Sequence, residues 1–250
     1  MTDKQELKQL LVELNQQGDL ALARTKAAEF LKNVDAKTLS LAEQELMEEG
    51  VVSQEDLRNL CGIHLEVLGG GLEQQRVELE TGHPVETLMA EHTVILQNLK
   101  ELQKIVDRVQ SASGFEDIGD ALERLREISH LLLETESHHQ REEEVLFPRL
   151  ESQGVTGPPR IMRLEHEELR AKKRQLAELL KRVDSITFTE FTEELRNTGG
   201  YLAVTLGEHI YKEDHILYPT ALQTLGVEEW SQVLDEFNRI GYCYFTPKTG

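Results

Sequence analysis

The stretch HHQREEEVLFPRL, residues 138–150, sets two histidines and three glutamates directly against an apolar run at 145–147. The chain repeats this pattern in EHIYKEDHILYP, residues 208–219. A carboxylate buried between apolar helical turns costs several kcal/mol unless a cation neutralises it. We therefore expect both stretches to be helical and to hold metal.

The two stretches align as an internal repeat when residues are counted back from the proline that ends each motif. LFP and LYP then superpose Pro148 on Pro219. The same alignment pairs His138 with His209, Glu142 with Glu213, and Glu143 with Asp214. This registration nominates His138 and Glu142 as the metal ligands of the first stretch.

Helical phase favours the neighbouring pair of residues instead. His139 and Glu143 fall on a face that carries four leucines, whereas His138 and Glu142 are turned from that face by roughly 100°. The leucines are Leu125, Leu132, Leu146 and Leu150. A local helical bulge, as is often found at functional sites, would reconcile the two assignments. Both pairs stay candidates, with His139 and Glu143 as the alternates.

The composition is typical of a helical globular protein. The 250 residues (28.5 kDa) are 39% hydrophobic, 29% charged and 5% aromatic. A net charge of -19 disfavours nucleic acid and anionic membranes as partners, because binding them requires clustered Lys and Arg. Cys61 and Cys243 are far apart, and the sequence shows neither a signal peptide nor an apolar run of ~20 residues. We expect a cytoplasmic protein.

Composition shifts and glycines divide the chain into regions. We expect a small helical domain at 1–70, a linker at 71–82, a four-helix bundle at 83–224, and a C-terminal helix and tail at 225–250. In the first region Ser40 and Glu43 form a capping-box pattern, and Gly50 is placed to end that helix. Three glycines at 69–71 break the chain before the linker.

Four long amphipathic segments follow the linker, and a last short helix is expected around residues 228–239. The segments span about 84–110, 116–151, 159–183 and 189–223. Pro84 suits the first position of its helix. Short polar breaks favour antiparallel neighbours, so the expected fold class is all-α with an up-down-up-down four-helix bundle.

Each of the four segments carries histidine at a position that faces inward in this pattern. They are His92, His138 with His139, His166, and His209. Helical residues four apart share a face, so an imidazole and the carboxylate one turn later can point at one ion. This donor pair suits iron, zinc or manganese rather than calcium. His83 is interpreted as a helix-start residue, and His130 and His215 as surface or packing residues.

The motifs together resemble the hemerythrin/HHE cation-binding superfamily over residues 83–224. The resemblance is carried by EHTVI (91–95), HHQREEEVLFPRLE (138–151), GPPRIMRLEHEELR (157–170) and EHIYKEDHILYP. It is strongest for di-iron proteins linked to repair of damaged iron centres, which share an LFP after a His-carboxylate pair. Residues 4–68 resemble an uncharacterised helical domain that precedes hemerythrin-like domains in prokaryotic proteins.

The resemblance implies a specific ligand set and cofactor. The implied metal ligands are His92, His138, Glu142, His166, His209 and Glu213, with Glu142 and Glu213 as bridges. The implied cofactor is two non-haem iron ions (Fe2+/Fe3+) joined by an oxo or hydroxo bridge.

The chain departs from the oxygen-carrying members of the family at two positions. Met162 stands where those proteins have a second histidine on the third helix, and a thioether is a poor ligand for ferric iron. The departure argues against reversible oxygen carriage. Those carriers also place the last acid five residues after its histidine, which makes Asp214 an alternate to Glu213.

The function implied is binding, sensing or handling of a small molecule: oxygen, nitric oxide or peroxide. Redox signalling and iron-centre repair both fit that description, and a protein partner would act through the N-terminal domain. The alternative is a structural or regulatory helical protein with a single zinc or other divalent metal. No acid-base or nucleophile constellation points to an organic substrate, so no catalytic residue is assigned.

Overall fold

A computed structural model describes residues 36–51 and 79–247. In these two ranges every regular element is helical, which confirms the predicted all-α fold with its up-down-up-down four-helix bundle. The helices expected elsewhere in residues 4–68, and the linker up to residue 78, lie outside the described residues. None of the helices in the two ranges is both long and apolar enough to cross a bilayer.

The α-helices of the two described ranges are numbered in chain order. They are α1 (Ala36–Glu48), α2 (Pro84–Ser111), α3 (Gly119–Leu133), α4 (Glu136–Arg141), α5 (Phe147–Ser152), α6 (Gly157–Lys181), α7 (Phe188–Leu195), α8 (Tyr201–Lys212), α9 (Tyr218–Thr224) and α10 (Val227–Ile240). Wider π-helical turns join α4 to α5, α7 to α8, and α8 to α9. Their bounds are Glu142–Leu146, Arg196–Gly200 and Glu213–Leu217.

Local signals in the sequence account for where the main helices begin. Pro84 opens α2, and the ring nitrogen of His83 accepts a hydrogen bond of 3.2 Å from the amide of Val85. Helix α7 begins with a capping box, in which Thr187 accepts from the amide of Glu190 and the Glu190 carboxylate accepts in return. His83 is therefore a helix cap, as predicted.

The second predicted segment is interrupted where the sequence showed no break. A turn at residues 134–135 separates α3 from α4. The hydroxyl of Thr135 donates to the carbonyl of Leu132 at 2.8 Å and accepts from Nζ of Lys173 at 2.7 Å. These two hydrogen bonds of the Thr135 hydroxyl stabilise the turn. The pattern of hydrophobic residues in the sequence gives no sign of either bond.

The larger of two compact units holds the bundle core. It comprises Glu80–Val145, Met162–Ile210 and Trp230–Gly250. Its core consists of one apolar row from each of the long helices, with members such as Leu102, Leu125, Leu176 and Leu206 at 2% exposure or less. Burying each of these side chains stabilises the fold by ~1.5–3 kcal/mol. Most of the buried polar residues described below belong to this same unit.

In the second unit, α1 packs against α9 and the preceding π-helical turn. The Gln44 side-chain oxygen accepts hydrogen bonds from the amides of Thr156 and Gly157, at 3.0 and 3.2 Å. Helix α1 begins at Ala36, four residues before the expected N-cap Ser40, so that start was wrong. It ends at Glu48, and Gly50 closes the following turn as expected, with a φ of 68° in the left-handed conformation that favours glycine.

Candidate metal centre

One buried histidine from each of α2, α4, α6 and α8 enters a common polar cluster inside the bundle. These are His92, His138, His166 and His209, each no more than 2% exposed. The ring nitrogens of a buried imidazole need polar or metal partners, because burial removes them from water. The cluster divides into two pairs of histidines.

The first pair joins α2 to α4. Nε2 of His92 lies 3.1 Å from Nε2 of His138, and the ring centroids are 4.8 Å apart. A metal–nitrogen bond is about 2.1 Å long, so adjacent nitrogens around an octahedral ion lie about 3.0 Å apart. The observed separation of the two nitrogens therefore matches two neighbouring ligands of one ion.

The second pair joins α6 to α8. The rings of His166 and His209 meet edge to face, with centroids 4.8 Å apart and an angle of 67° between their planes. Ligand atoms of both residues lie within 4.8 Å of each other and of a carboxylate oxygen of Glu213. His92, His138 and Glu213 form a second group of the same kind.

Two buried carboxylates stand between the histidine pairs. Oε2 of Glu142 is 3.6 Å from Nε2 of His138 and 3.5 Å from Nε2 of His166. Glu213 belongs to both groups of ligand atoms. Both side chains are at most 1% exposed. Each carboxylate thus lies close to one histidine of either pair, which is the position of a bridging ligand.

Three of the four imidazoles bind a second carboxylate through Nδ1. The distances are 2.6 Å from His138 to Glu91, 2.6 Å from His166 to Glu143, and 2.8 Å from His209 to Glu165. A carboxylate accepts hydrogen bonds, so Nδ1 of each ring carries the proton. In a neutral ring the lone pair then lies on Nε2, where a metal can bind it. The donor set therefore fits a transition-metal ion.

These outer carboxylates were missed from the sequence, although a signal for two of them was present. Glu91 and Glu165 directly precede His92 and His166 in the chain, yet each binds the histidine of a different helix. Both are buried, whereas Glu208, which precedes His209, is exposed. The sequence pattern of a glutamate directly before an inward-facing histidine can identify such carboxylates. Which histidine the carboxylate binds depends on how the helices pack.

The Glu91 carboxylate receives the most donors. Nη2 of Arg141, a fully buried side chain, donates to both of its oxygens at 2.7 and 2.6 Å. Burial favours the neutral acid, but hydrogen bonds and nearby charge outweigh it, and the pKa of Glu91 falls to about 2. Burial lowers the pKa of His138 to about 4. Near neutral pH, an ionised Glu91 therefore faces a neutral His138.

The alternates His139 and Glu143 both contact His166, but neither belongs to the two groups of ligand atoms. The ring of His139 stacks on His166 at 4.1 Å, and its Nε2 is 3.5 Å from Nζ of Lys173. Burial, with the charge of Lys173, holds the pKa of His139 well below its usual value. Glu143 accepts from His166 and, at 3.1 Å, from Arg170. Glu143 thus faces Nδ1 of His166, whereas Glu142 faces Nε2 of the same ring, and neither carboxylate belongs to the two groups of ligand atoms.

The remaining candidate residues take other places. Asp214 is half-buried and lies outside both groups of ligand atoms, and Met162 is buried one turn before His166. The ring of His130 stacks on Tyr244, and that of His215 stacks on Tyr211. His130 and His215 are therefore packing residues, as expected.

Comparison with protein families agrees with the resemblance in the motifs. The model of the hemerythrin HHE cation binding domain matches residues 83–221. A model of a family of unknown function (DUF438) matches residues 7–74. No curated protein matched the chain.

Proposed function

This chain belongs to the hemerythrin HHE cation-binding family, and we propose that its bundle holds two non-haem iron ions and uses them to bind or process oxygen, nitric oxide or peroxide. The proposed ligands are His92 and His138 for one ion, His166 and His209 for the other, and Glu142 and Glu213 for both. The observation that carries the proposal is the pair of two-histidine groups that share a carboxylate.

The spacing of the ligand atoms supports two ions rather than one. Two ligands of a single ion with bonds of about 2.1 Å are at most about 4.2 Å apart. The two compact groups share Glu213 but have different histidines. A single ion could bind all four imidazoles only if the side chains of the two groups moved together. Two ions could bind one to each group without such movement.

The donor types support iron. Two histidines and one carboxylate with open coordination positions are the usual ligands of non-haem ferrous centres. Bound iron supplies a reversible one-electron change and an open position for a small diatomic ligand or peroxide. Met162, in place of another imidazole, leaves the His166 side with fewer nitrogen donors than it would have in an oxygen carrier.

The chain's own residues prepare the site for this chemistry. Glu91, Glu143 and Glu165 keep a proton on Nδ1 of their histidines, and so direct the Nε2 lone pairs toward the cluster. The leucine-rich core excludes bulk water, which strengthens the attraction between the carboxylates and a cation. These residues bind and orient ligands, and we propose no acid-base step on an organic substrate.

A single zinc is the competing proposal. Two histidines and one glutamate are also the ligands of known zinc sites, and each of the two groups provides that set. Such a protein would be colourless, would show no redox change, and would have a structural or regulatory role.

The test is a metal count on the full chain purified without oxygen. We expect two iron ions per chain and a visible absorption spectrum that changes when nitric oxide is added. In the variant His209→Ala, iron content should fall to about one per chain or less, whereas Glu144→Ala, which removes an exposed carboxylate, should keep both. One zinc per chain and a spectrum that nitric oxide leaves unchanged would contradict the proposal.

A further inference from the structure

The segment that follows α10 folds back onto the outer carboxylate Glu91. Gly241, with a φ of 94°, turns the chain after α10, and its amide donates to the carbonyl of Phe237 at 2.9 Å. From there, residues 241–247, which we call the strap, run to the point where the hydroxyl of Thr246 donates to Oε1 of Glu91 at 2.5 Å. Thr246 and Glu91 are 155 positions apart in the sequence.

Several further contacts hold the strap in place. Cys243 is 5% exposed, and its sulfur lies 3.2 Å from the hydroxyl of Ser137, the neighbour of His138. The ring of Tyr242 lies 4.9 Å from the guanidinium carbon of Arg141, and Tyr244 stacks on His130. The strap is therefore fastened at three points to the helices that carry the proposed ligand His138 and its partner Glu91, and at a fourth point to α3.

A continuous set of hydrogen bonds leads from the strap to the cluster. Thr246 and Arg141 donate to Glu91, whose Oε2 accepts from Nδ1 of His138. On the opposite side of the same ring, Nε2 of His138 faces Nε2 of His92. The orientation of the His138 ring thus depends on a carboxylate whose other oxygen is held by the strap.

We propose that Thr246 is a positioning residue for the metal centre, which acts through Glu91 on His138 and makes the docking of the strap depend on the ion bound by His92 and His138. This inference rests on the proposed function, since it requires a cation at that pair. Coupling of this kind is reciprocal: if the docked strap favours the bound ion, the ion favours the docked strap by the same factor. The strap is then a part of the chain that responds to the state of the metal.

The expected effect is modest and confined to one ion. Removing the outer partner of a metal-bound histidine typically changes metal affinity by 10–100-fold. Thr246 is one hydrogen bond further from the metal than Glu91 is. When the Thr246 hydroxyl is removed, Arg141 still donates to Glu91. We therefore expect Thr246→Val to speed release of one iron by about threefold to tenfold, with release of the other unchanged.

The experiment compares the iron-loaded full chain with its Thr246→Val and Thr246→Ser variants. Release of iron to a ferrous chelator is followed with time, and amide hydrogen exchange of residues 241–246 is measured with and without iron. Valine matches the shape of threonine but cannot donate, whereas serine keeps the hydroxyl. We expect faster release of one iron in the valine variant, wild-type release in the serine variant, and a strap that exchanges faster when iron is removed.

Two different failures can be told apart. If the wild-type chain holds two irons and the valine variant releases both at the wild-type rate, the inference about Thr246 is wrong and the proposed function stands. If the wild-type chain takes up no iron at all, the proposed function fails and the inference falls with it. Equal acceleration in the valine and serine variants would also overturn the inference, because it would show that packing and not the hydroxyl matters.

Discussion

At the scale of the residue, three consecutive glutamates occupy three different environments. Glu142 is fully buried and lies between His138 and His166. Glu143 is partly exposed and accepts hydrogen bonds from His166 and Arg170. Glu144 is exposed to solvent. Side chains of successive helical residues point about 100° apart. Three neighbouring glutamates therefore point into the interior, to its boundary and into the solvent, respectively.

These environments predict a graded response to the same substitution. Glu142→Gln should reduce iron from two ions per chain to one or fewer, because it removes the charge shared by both histidine pairs. Glu143→Gln should keep both ions but release them ~10–100-fold faster, since His166 loses the anion at its Nδ1. Glu144→Gln is the matched control and should behave as wild type. Iron content and release rate are measured, and equal behaviour of the three variants would contradict the assignment.

At the scale of the element, the π-helical turns decide which side chains face the centre. Two of these turns, Glu142–Leu146 and Glu213–Leu217, begin at one of the two proposed bridging carboxylates. Each ends two residues before a proline, Pro148 or Pro219. Proline lacks an amide hydrogen and its ring crowds the carbonyl four residues earlier, which here lies inside the turn. The proline thus provides a physical reason for the wider turn.

The same turns explain the conflict between registration and helical phase. Leu146, the last residue of the first turn, and Leu150, which follows it, are buried. His138, which precedes the turn, and Glu142, its first residue, are buried as well. An unbroken α-helix cannot bury both sets of residues on one face, because their side chains would point in directions roughly 100° apart around the helix axis. One extra residue in the turn restores the phase. The ligand assignment itself stays a proposal until metal binding is measured.

The third π-helical turn contains two glycines that predict opposite effects of one added methyl group. A Cβ on Gly199 would lie 3.1 Å from Leu195, 3.3 Å from Val106 and 3.4 Å from Leu102, whereas one on Gly200 would approach only Val106, at 3.9 Å. Crowding of a packed core costs about 1–3 kcal/mol. Alanine in place of glycine in a helix gains up to about 1 kcal/mol.

We therefore expect the Gly200→Ala variant to be more stable than Gly199→Ala by about 1–3 kcal/mol. The measurement is urea unfolding of the metal-free chain, followed by helical circular dichroism. Because the two substitutions are chemically identical and adjacent, each serves as the control for the other. Equal free energies of unfolding would show that α2 does not approach this turn as closely as these distances require.

At the scale of the whole molecule, the stability of the fold depends on pH, because the proposed metal site requires the burial of titratable side chains. Burial lowers the pKa of His138 from 6.5 to about 4, and it holds that of His139 well below 6.5. As the pH falls below 6.5, the unfolded chain takes up protons at these residues and the folded chain does not. This contribution to stability is therefore complete above pH 6.5 and is lost as the pH falls toward 4.

The metal-free chain should accordingly lose stability between pH 6.5 and pH 4, and the contribution of His138 to that loss is about 1.4 kcal/mol per pH unit. In the His138→Gln variant, the loss of unfolding free energy per pH unit should be smaller by the contribution of one proton, about 1.4 kcal/mol. The measurement is the free energy of unfolding in urea at several pH values in this range. A slope that is the same in the wild type and in the His138→Gln variant would contradict burial of a neutral imidazole.

The sequence by itself determined the helical elements and the kinds of donor atom they carry. Pro84, the capping box of Thr187 and Glu190, and the periodic leucines act within a few residues, so their effect is visible in a linear pattern. The four histidine-bearing segments follow from the same local periodicity. The interruption at Thr135 was not predictable in this way, because it involves Lys173, 38 positions away.

Only the tertiary structure decided which donor meets which partner. Glu91 binds His138 at a separation of 47 positions, and Glu165 binds His209 at 44. Thr246 reaches Glu91 from a segment that no motif had marked. A hydrogen bond depends on distances of a few ångströms between chain segments that are remote in sequence, and these distances are set by helix packing and by one-residue changes in helical phase. A linear pattern carries the chemistry of the side chains, whereas the contacts among them exist only once the helices have packed.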